Sequence, residues 1–482
     1  MRFLAVFSVL AMLTTTGCST NPATGQQSFT AFMSEEDEIR VGAEEHPKII
    51  KQFGGVYEDR PVNAYIRSIG KKLAAISEVP NLPYRFTILN DERVNAFAVP
   101  GGYVYITRGL LALAETEAEV AGVLAHEIGH ITARHTAQRY STTMATNIGL
   151  TVIGVIGSAA GLPSGLGRLA SVGAQAAIQG YSRQQELEAD MLGVRYMTRM
   201  GYDPNAMTSF FKKLDAHSTL EATLQGKDGV SHNIMSTHPR TAQRIAQAIE
   251  LAKAKPVANP RNGREDYLER IDGMVFGDDI AQGVRKGRSF IHPELRFRFD
   301  VPPGFVLFNS TSQVEARGPD DSRIVFDMAN RKNAARAKNL ETYLTGFWGR
   351  NLTLSGIENI EINGAPGATG STRLNTSAGD RNVRLLVVRG NTDQIFRFAF
   401  ITRLEMTAKL NTEFRRTTYS FRRLGEKEAA AIKPLRIKLV TVKPGDTVAK
   451  LAAAMPFEKY KREWFRVLNA LGSVEIQDSQ TG

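Results

Sequence analysis

Cysteine is all but missing from this chain: Cys18 is the only one in 482 residues, so no intrachain disulfide can form. Long apolar runs are scarce as well. The most apolar stretch of the interior, Ile148 to Leu162, has 15 residues broken by four glycines, whereas a membrane-spanning helix needs about 20. Basic residues exceed acidic ones, 60 against 49 for a net charge of +11, yet no basic helical stripe or zinc-finger spacing accompanies the excess. A nucleic-acid partner is therefore not expected, and the charge reads as solvation with weak attraction to anionic surfaces. Histidine is also sparse, with 8 residues in all, and two of them stand four apart.

Those two belong to His126-Glu127-Ile128-Gly129-His130. Residues i and i+4 sit one above the other on a helix, so both rings can reach a single ion. Two imidazoles and one further protein ligand leave a vertex for water, whose pKa zinc lowers, and Glu127 beside the first ring can take the water's proton. Thr116 and Glu119 have the spacing of a capping box, and Val120, Val123, Leu124, Ile128 and Ile131 recur with helical period. The alternative is a core helix whose histidines only hydrogen-bond to neighbours.

His135 is set aside as a third ligand, because five residues of continuous helix turn it about 140° from His130. Ser182 to Asp190 offers Glu186 and Asp190 at i and i+4 on another predicted helix. Glu186 can close the metal shell and Asp190 can fix the tautomer of a ligating ring, while Glu188 points elsewhere. Taken alone, this segment reads better as a solvated, charged helix face.

Together these motifs resemble the gluzincin peptidases that include the prenyl-protein endopeptidases, HtpX, the mitochondrial Oma protease and periplasmic BepA. Asn95-Ala-Phe-Ala-Val-Pro-Gly-Gly102 upstream and Ser236-Thr-His238-Pro-Arg-Thr-Ala-Gln-Arg244 downstream stand in that family's order. The resemblance implies one zinc per chain held by His126, His130 and Glu186, with Glu127 as general base. It also implies that His238 and Arg244 lie at the cleft, His238 either stabilising the oxyanion or occupying the metal's open position at rest.

Val94 to Val99 and Tyr103 to Thr107 are β-prone runs around a Pro100-Gly101-Gly102 turn. Proline confines the first run to a sheet edge or end, where Asn95, Ala96, Phe97 and Ala98 can offer backbone to an extended substrate. A plain structural hairpin reads nearly as well.

At the amino terminus Arg2 precedes an apolar run, Phe3 to Leu13, and then Thr14-Thr-Thr-Gly-Cys18. This reads as a signal peptide, and Gly17-Cys18 resembles the bacterial lipoprotein box, although Thr15 stands where leucine is commoner. Cys18 would carry the lipid anchor, and Ser19 rather than Asp matches sorting to the outer membrane. The competing reading is a secreted protein with an incidental cysteine.

Length suggests about three domains. Asn147 to Gly180 reads as a mobile helical flap or membrane-touching segment, and equally as a buried helix pair. The helical run Thr241 to Ala254 reads as the last packed element of the peptidase domain, and Pro256 to Asn262 as a linker. Beyond it, runs such as Phe297–Val301, Arg323–Met328 and Val383–Val388 predict strands, and Leu340–Trp348 and Met406–Phe414 helices, with turns at Pro302–Gly304, Gly318–Asp320 and Gly364–Gly367. The segment from Val440 to Asn469 resembles a LysM module, a strand-helix-helix-strand unit associated with N-acetylglucosamine polymers, here with a weak closing strand.

The reading is thus an α+β chain: residues 1–17 a lipoprotein signal peptide, 18–260 a mainly helical zincin-type metallopeptidase domain with a small sheet, 275–425 an α+β domain of unassigned role, and 434–482 a LysM-like module. The expected function is a zinc endopeptidase of the periplasm, anchored to the outer membrane through Cys18, acting on unfolded or misassembled envelope proteins, with peptidoglycan as a further partner. The alternative is an envelope assembly chaperone or cell-wall binding protein with a latent metal site.

Overall fold

The computed structural model describes residues 18–155 (of 147–155 only that they are helical), 180–224, 238, 244, 247, 250, 251, 253, 254, 256–377, 379–391 and 393–471. These form a mixed α+β chain that divides into two compact units, residues 1–274 with 436–482, and residues 275–435. The signal peptide, the segment 156–179 and the closing strand of the LysM-like reading lie outside the described residues.

The first unit opens with a short hairpin, β1 (Cys18–Thr20) against β2 (Gln27–Phe29). Helices α1 (Glu35–Gln52) and α2 (Arg60–Ala75) start where Ser34 and Asp59 accept the orphan amides of their first turns. A three-stranded sheet follows in the order β3 (Arg85–Leu89), β5 (Tyr103–Thr107), β4 (Ala96–Val99). β3 runs parallel to β5, and β4 pairs antiparallel with it from Ala96↔Ile106 to Val99↔Tyr103, which leaves β4 at the edge. Pro100–Gly102 makes the turn. Gly101 has φ +78°, and a Cβ there would lie 2.7 Å from Ile39 Cα, so both conformation and space require glycine.

After α3 (Arg108–Leu113) comes the central helix α4 (Glu117–Thr132), almost wholly buried. Thr116 Oγ1 accepts from Glu119 N, but Glu119 Oε2 turns to Glu115 N, so only half of the expected capping box forms. α4 ends in a break rather than running on: Arg134 takes φ +55° and α5 (His135–Val155) starts afresh. α6 (Arg183–Arg199), capped by a full Ser182–Gln185 box, crosses α4 closely. Gly129 permits the approach, since a Cβ there would stand 3.1 Å from Ala189 O and 3.2 Å from Leu192 Cβ. α7 (Asn205–Leu224) packs on the other flank of α4.

The stretch read as a linker is not one. Arg261 N donates to Gly201 O, Asp203 N to Arg261 O and Ala118 N to Asn262 O, all within 2.8–3.1 Å. α8 (Arg264–Ile271) then packs on α2 and α4 with Tyr267 buried and its hydroxyl on Leu111 O. Lys, Pro, Asn and Gly signalled irregular backbone correctly, but irregular backbone can still be pinned by hydrogen bonds.

The second unit begins with β6 (Val275–Phe276). β7 (Val284–Lys286), β8 (Ser289–His292) and β9 (Phe297–Asp300) join a four-stranded sheet completed by β17 (Arg422–Arg423). A seven-stranded sheet runs in the order β10 (Val306–Asn309), β11 (Gln313–Arg317), β12 (Arg323–Met328), β16 (Ile395–Arg403), β15 (Gly379–Arg389), β14 (Ala365–Thr376), β13 (Ser355–Ile362), with antiparallel neighbours throughout. Alternation along its strands feeds two cores. Phe326, Phe396, Phe398 and Phe400 meet Phe414 of α11 (Leu404–Ser420). Val383, Leu385 and Val387 meet α9 (Arg331–Arg336) and α10 (Leu340–Tyr343), the latter continuing as a π turn to Trp348. The turn expected at Gly364–Gly367 is confined to its start, because Ala365, Pro366 and Gly367 already belong to β14. Pro366 lies at the strand's beginning, opposite Glu361 but before the pairing with β15 starts, where its missing amide costs little. α12 (Glu426–Ala431) closes the unit.

The chain then returns to the first unit. Thr447 caps α13 (Val448–Ala453) after a turn at Pro444–Gly445, and α14 (Lys461–Leu468) packs on α7 and α3. Trp464 stands edge-on to buried His217, ring centres 5.7 Å apart, and stacks on Phe457. Val440 and Val442, expected in the first LysM strand, form no strand and are 62% and 66% exposed, having no partner strand among the described residues.

Candidate metal centre

α4 stacks His126 over His130, with their Nε2 atoms 3.0 Å apart. α6, let in by Gly129, brings Glu186 Oε1 to 3.4 Å from His130 Nε2 and Oε2 to 3.6 Å from His126 Nε2. His238, from the chain beyond α7, adds Nδ1 at 3.3 Å from His126 Nε2 and 2.8 Å from Glu186 Oε1. The four donor atoms lie within 4.8 Å of one another and all four residues are buried. A tetrahedral ion with bonds of about 2.0–2.2 Å needs donors roughly 3.4 Å apart, so the spacing suits zinc.

Proton accounting gives the same answer. His126 Nδ1 lies 2.9 Å from Asp190 Oδ1, which favours the proton on that nitrogen and leaves Nε2 as a lone pair. His130 Nδ1 faces His135 Nδ1 at 2.8 Å, and His135 Nε2 lies 3.4 Å from Glu188 Oε2. That relay lets His130 donate through Nδ1 and again leaves Nε2 bare. Two nitrogen lone pairs and a carboxylate facing one another in a buried site call for a cation. Burial opposes ionisation of Glu186, but His238, His130 and His126 together hold its carboxyl well below the ordinary range. Burial drives His130 well below the usual imidazole value.

Glu127 is fully buried, its carboxyl pushed up by burial against the pull of His238 and His126, with Oε1 3.5 Å from His238 Nε2. Arg244 clamps Asp190 with two bonds of 2.7 Å and reaches Glu186 Oε2 at 2.5 Å. It therefore supports the residues that hold the ligands.

His135 is not among the four donors, but the geometry behind its exclusion differs from the expectation. The left-handed Arg134 breaks the helix and returns His135 to the back of His130. Glu188, set aside in the sequence, faces His135 and also accepts from Asn21 Nδ2 at 2.9 Å. Tyr181 stacks on His130 at 3.8 Å between ring centres, with the Arg139 guanidinium 4.8 Å from the Tyr181 ring centre. Periodicity gave no hint of these three; the unused histidine five residues from His130 was the available signal.

Two clefts flank the cluster. An apolar one of about 490 Å³ is walled by Val123, Met207, Phe210, Phe211 and Leu214 and opens on His126, Glu127 and His238. The other, about 550 Å³, runs past Leu82, Ala98–Gly101, His130, Arg134 and Tyr181. Ala98 thus lines a cleft, whereas Asn95, Ala96 and Phe97 line neither. Phe97 is buried against Tyr105 and Phe53, and Asn95 bonds through its backbone to Thr107. Cys18 is exposed on β1.

Residues 61–252 match the model of Peptidase family M48, and the whole donor set lies inside that stretch. The beta-barrel assembly-enhancing protease of Yersinia pestis is 31% identical over 261 residues, 52% of this chain and 51% of that protein. Its namesake in Escherichia coli (strain K12) is 32% identical over 232 residues, 46% of each chain. The mitochondrial metalloendopeptidase OMA1 of Schizosaccharomyces pombe is 28% identical over 221 residues, 45% of this chain and 62% of that one. The chain spans about half the length of the curated relatives it matches. The matched region is thus similar to the M48 metallopeptidases, and its four buried donors form a zinc-competent site.

Proposed function

We propose that this chain is a zinc-dependent endopeptidase of the bacterial periplasm, anchored at the outer membrane through Cys18 and cleaving unfolded or misassembled envelope proteins. The observation that carries the reading is the buried donor set with a carboxylate, Glu127, beside it and a cleft on either side. Bound at His126, His130 and Glu186, zinc would polarise the scissile carbonyl and acidify a water. Glu127, its basicity raised by burial, takes the proton and returns it to the leaving amine. Only the end of β4, Ala98 and Val99, lines a cleft, and there its backbone would pair with an extended polypeptide, a mode of recognition that demands no particular sequence and suits unfolded clients. Asp190 and Arg244 hold the ligands in place. The bacterial relatives, named as proteases that enhance β-barrel assembly, favour envelope clients.

Purified protein incubated with casein or an unfolded barrel protein tests this. Discrete products should form only with metal present and should fall about 10²–10⁴-fold in Glu127→Gln, the usual span for loss of a general base. Cleavage surviving in that variant, or metal-free protein from gentle preparation, overturns the reading.

One observation favours the second reading, an assembly chaperone with a latent site: His238 Nδ1 stands with the other three donors, where it would compete with water for a bound metal. Release of His238 would open the site. His238→Ala should therefore gain cleavage over the parent if the site is latent at rest, and should lose it if His238 stabilises the oxyanion.

A further inference from the structure

The hairpin that carries Cys18 is sewn into the catalytic unit from its first residues. Ser19 Oγ bonds Thr30 Oγ1 at 2.7 Å and receives Arg134 Nη1 at 3.4 Å, and Arg134 is the left-handed residue that ends the zinc helix. Three residues past the cysteine, Asn21 bonds Glu188, which faces His135 behind the ligand His130. Phe32 N donates to Ser141 Oγ on α5. Between the anchoring residue and the metal-site scaffold there is no slack.

Side-chain direction then decides what the hairpin presents. Successive strand residues alternate faces, and Cys18 and Phe29 are register partners on the exposed face, with Ser19 and Ser28 turned inward. Phe32 lies edge-to-face with Phe29, ring centres 6.1 Å apart, and the two are 40% and 37% exposed. An apolar aromatic pair beside the residue that carries the acyl chains belongs at a bilayer surface, where exposed rings lose their contact with water.

We propose that Phe29 and Phe32 rest in the lipid interface beside acylated Cys18, so that the catalytic unit is seated directly on the membrane instead of swinging on a tether. The inference rests on the Cys18 anchor put forward above. Continuity with the acyl chains selects the bilayer, and no other partner, as the occupant. The second cleft, lined in part by Pro22 of the same hairpin segment and by Arg134, would then receive polypeptide close to the lipid surface.

The test uses the full chain, acylated, in vesicles of phosphatidylethanolamine and phosphatidylglycerol with acyl chains brominated near their carbonyl ends. The variant F32W, or F29W should the first fold poorly, should show emission from the added indole quenched at least twofold relative to unbrominated vesicles. An acylated variant whose indole stays unquenched overturns the seat, whether the ring is in water or covered by a second protein. Mass spectrometry showing no lipid on Cys18 also overturns it. Because the readout is independent of cleavage, quenching without proteolysis upholds the seat and counts against the peptidase reading alone.

Discussion

Asp190 shows how much of this site depends on residues that touch no metal. It favours the proton on His126 Nδ1 and accepts from Nε and Nη2 of Arg244. Asp190→Ala should weaken zinc binding about 10–100-fold in a chelator competition, the usual loss on removing a ligand's supporting partner. It should also destabilise the fold by about 3–5 kcal/mol, since Arg244 would be left buried with half of its pairing gone. Unchanged zinc affinity would show that His126 is oriented by packing alone. A second residue, His292, reads out in pH. It is 9% exposed, and burial pushes its imidazole down to about 4. A folded-state value below the unfolded one, about 6.5, means the stabilisation is complete above pH 6.5 and fades as pH falls toward 4. The second unit should lose about 3 kcal/mol across that window in denaturant titrations. His292→Asn, which keeps an acceptor for Leu295 N, should flatten that loss; an equally steep acid limb in the variant would assign it to other groups. His126 and His130 were legible in the sequence because i, i+4 spacing fixes which side chains share a helix face, whereas Glu186 and His238 stood out only through the family resemblance. His135, Glu188 and Tyr181 were not, because one left-handed residue and one helix crossing set their places.

At the scale of elements, the crossing of α4 with α6 depends on glycine where α7 is more forgiving. A Cβ on Gly129 meets Ala189 backbone and Leu192 Cβ, neither of which can swing away, whereas on Gly122 it meets Met207 Cγ at 2.9 Å and Met197 Sδ and Cε at 3.2 and 3.5 Å, unbranched side chains that can repack. Gly129→Val should therefore cost about 1–3 kcal/mol in thermal unfolding and loosen the metal. Gly122→Ala should be close to neutral, since methionine adapts and alanine favours helix. Equal destabilisation by the two would remove the distinction. The β4–β5 hairpin was legible from Pro100-Gly-Gly, and the strands around Phe297, Arg323 and Val383 from their alternation. Gly364–Gly367 misled because Pro and Gly were counted as turn residues when only Asn363 and Gly364 turn. Val440–Val442 misled because a β-prone run becomes a strand only with something to pair with.

At the scale of the molecule, the two units have separate cores, and among the described residues the four-donor set lies in the first. Saturating zinc should raise the unfolding temperature of the first unit, by an amount set by concentration over affinity, about 4 kcal/mol at a thousandfold excess. The transition of the second unit should stay put under chelation, and its movement would show that the cores unfold together. Length pointed to several domains, and the alternation of β-prone and helical runs to an α+β chain. The outer limit of the peptidase unit was hidden, because hydrogen bonds such as Arg261 N to Gly201 O cannot be read from residues that merely look loop-forming.

The return of α14 to α7 makes the catalytic unit discontinuous in the chain. An amino-terminal fragment that stopped before residue 436 would hold every zinc donor yet leave His217 without Trp464 across it. During synthesis the unit that holds the zinc donors stays unfinished until residues beyond 436 have emerged, a delay of roughly 160 residues imposed by the intervening unit. Truncation before residue 436 should thus yield a loosely packed product.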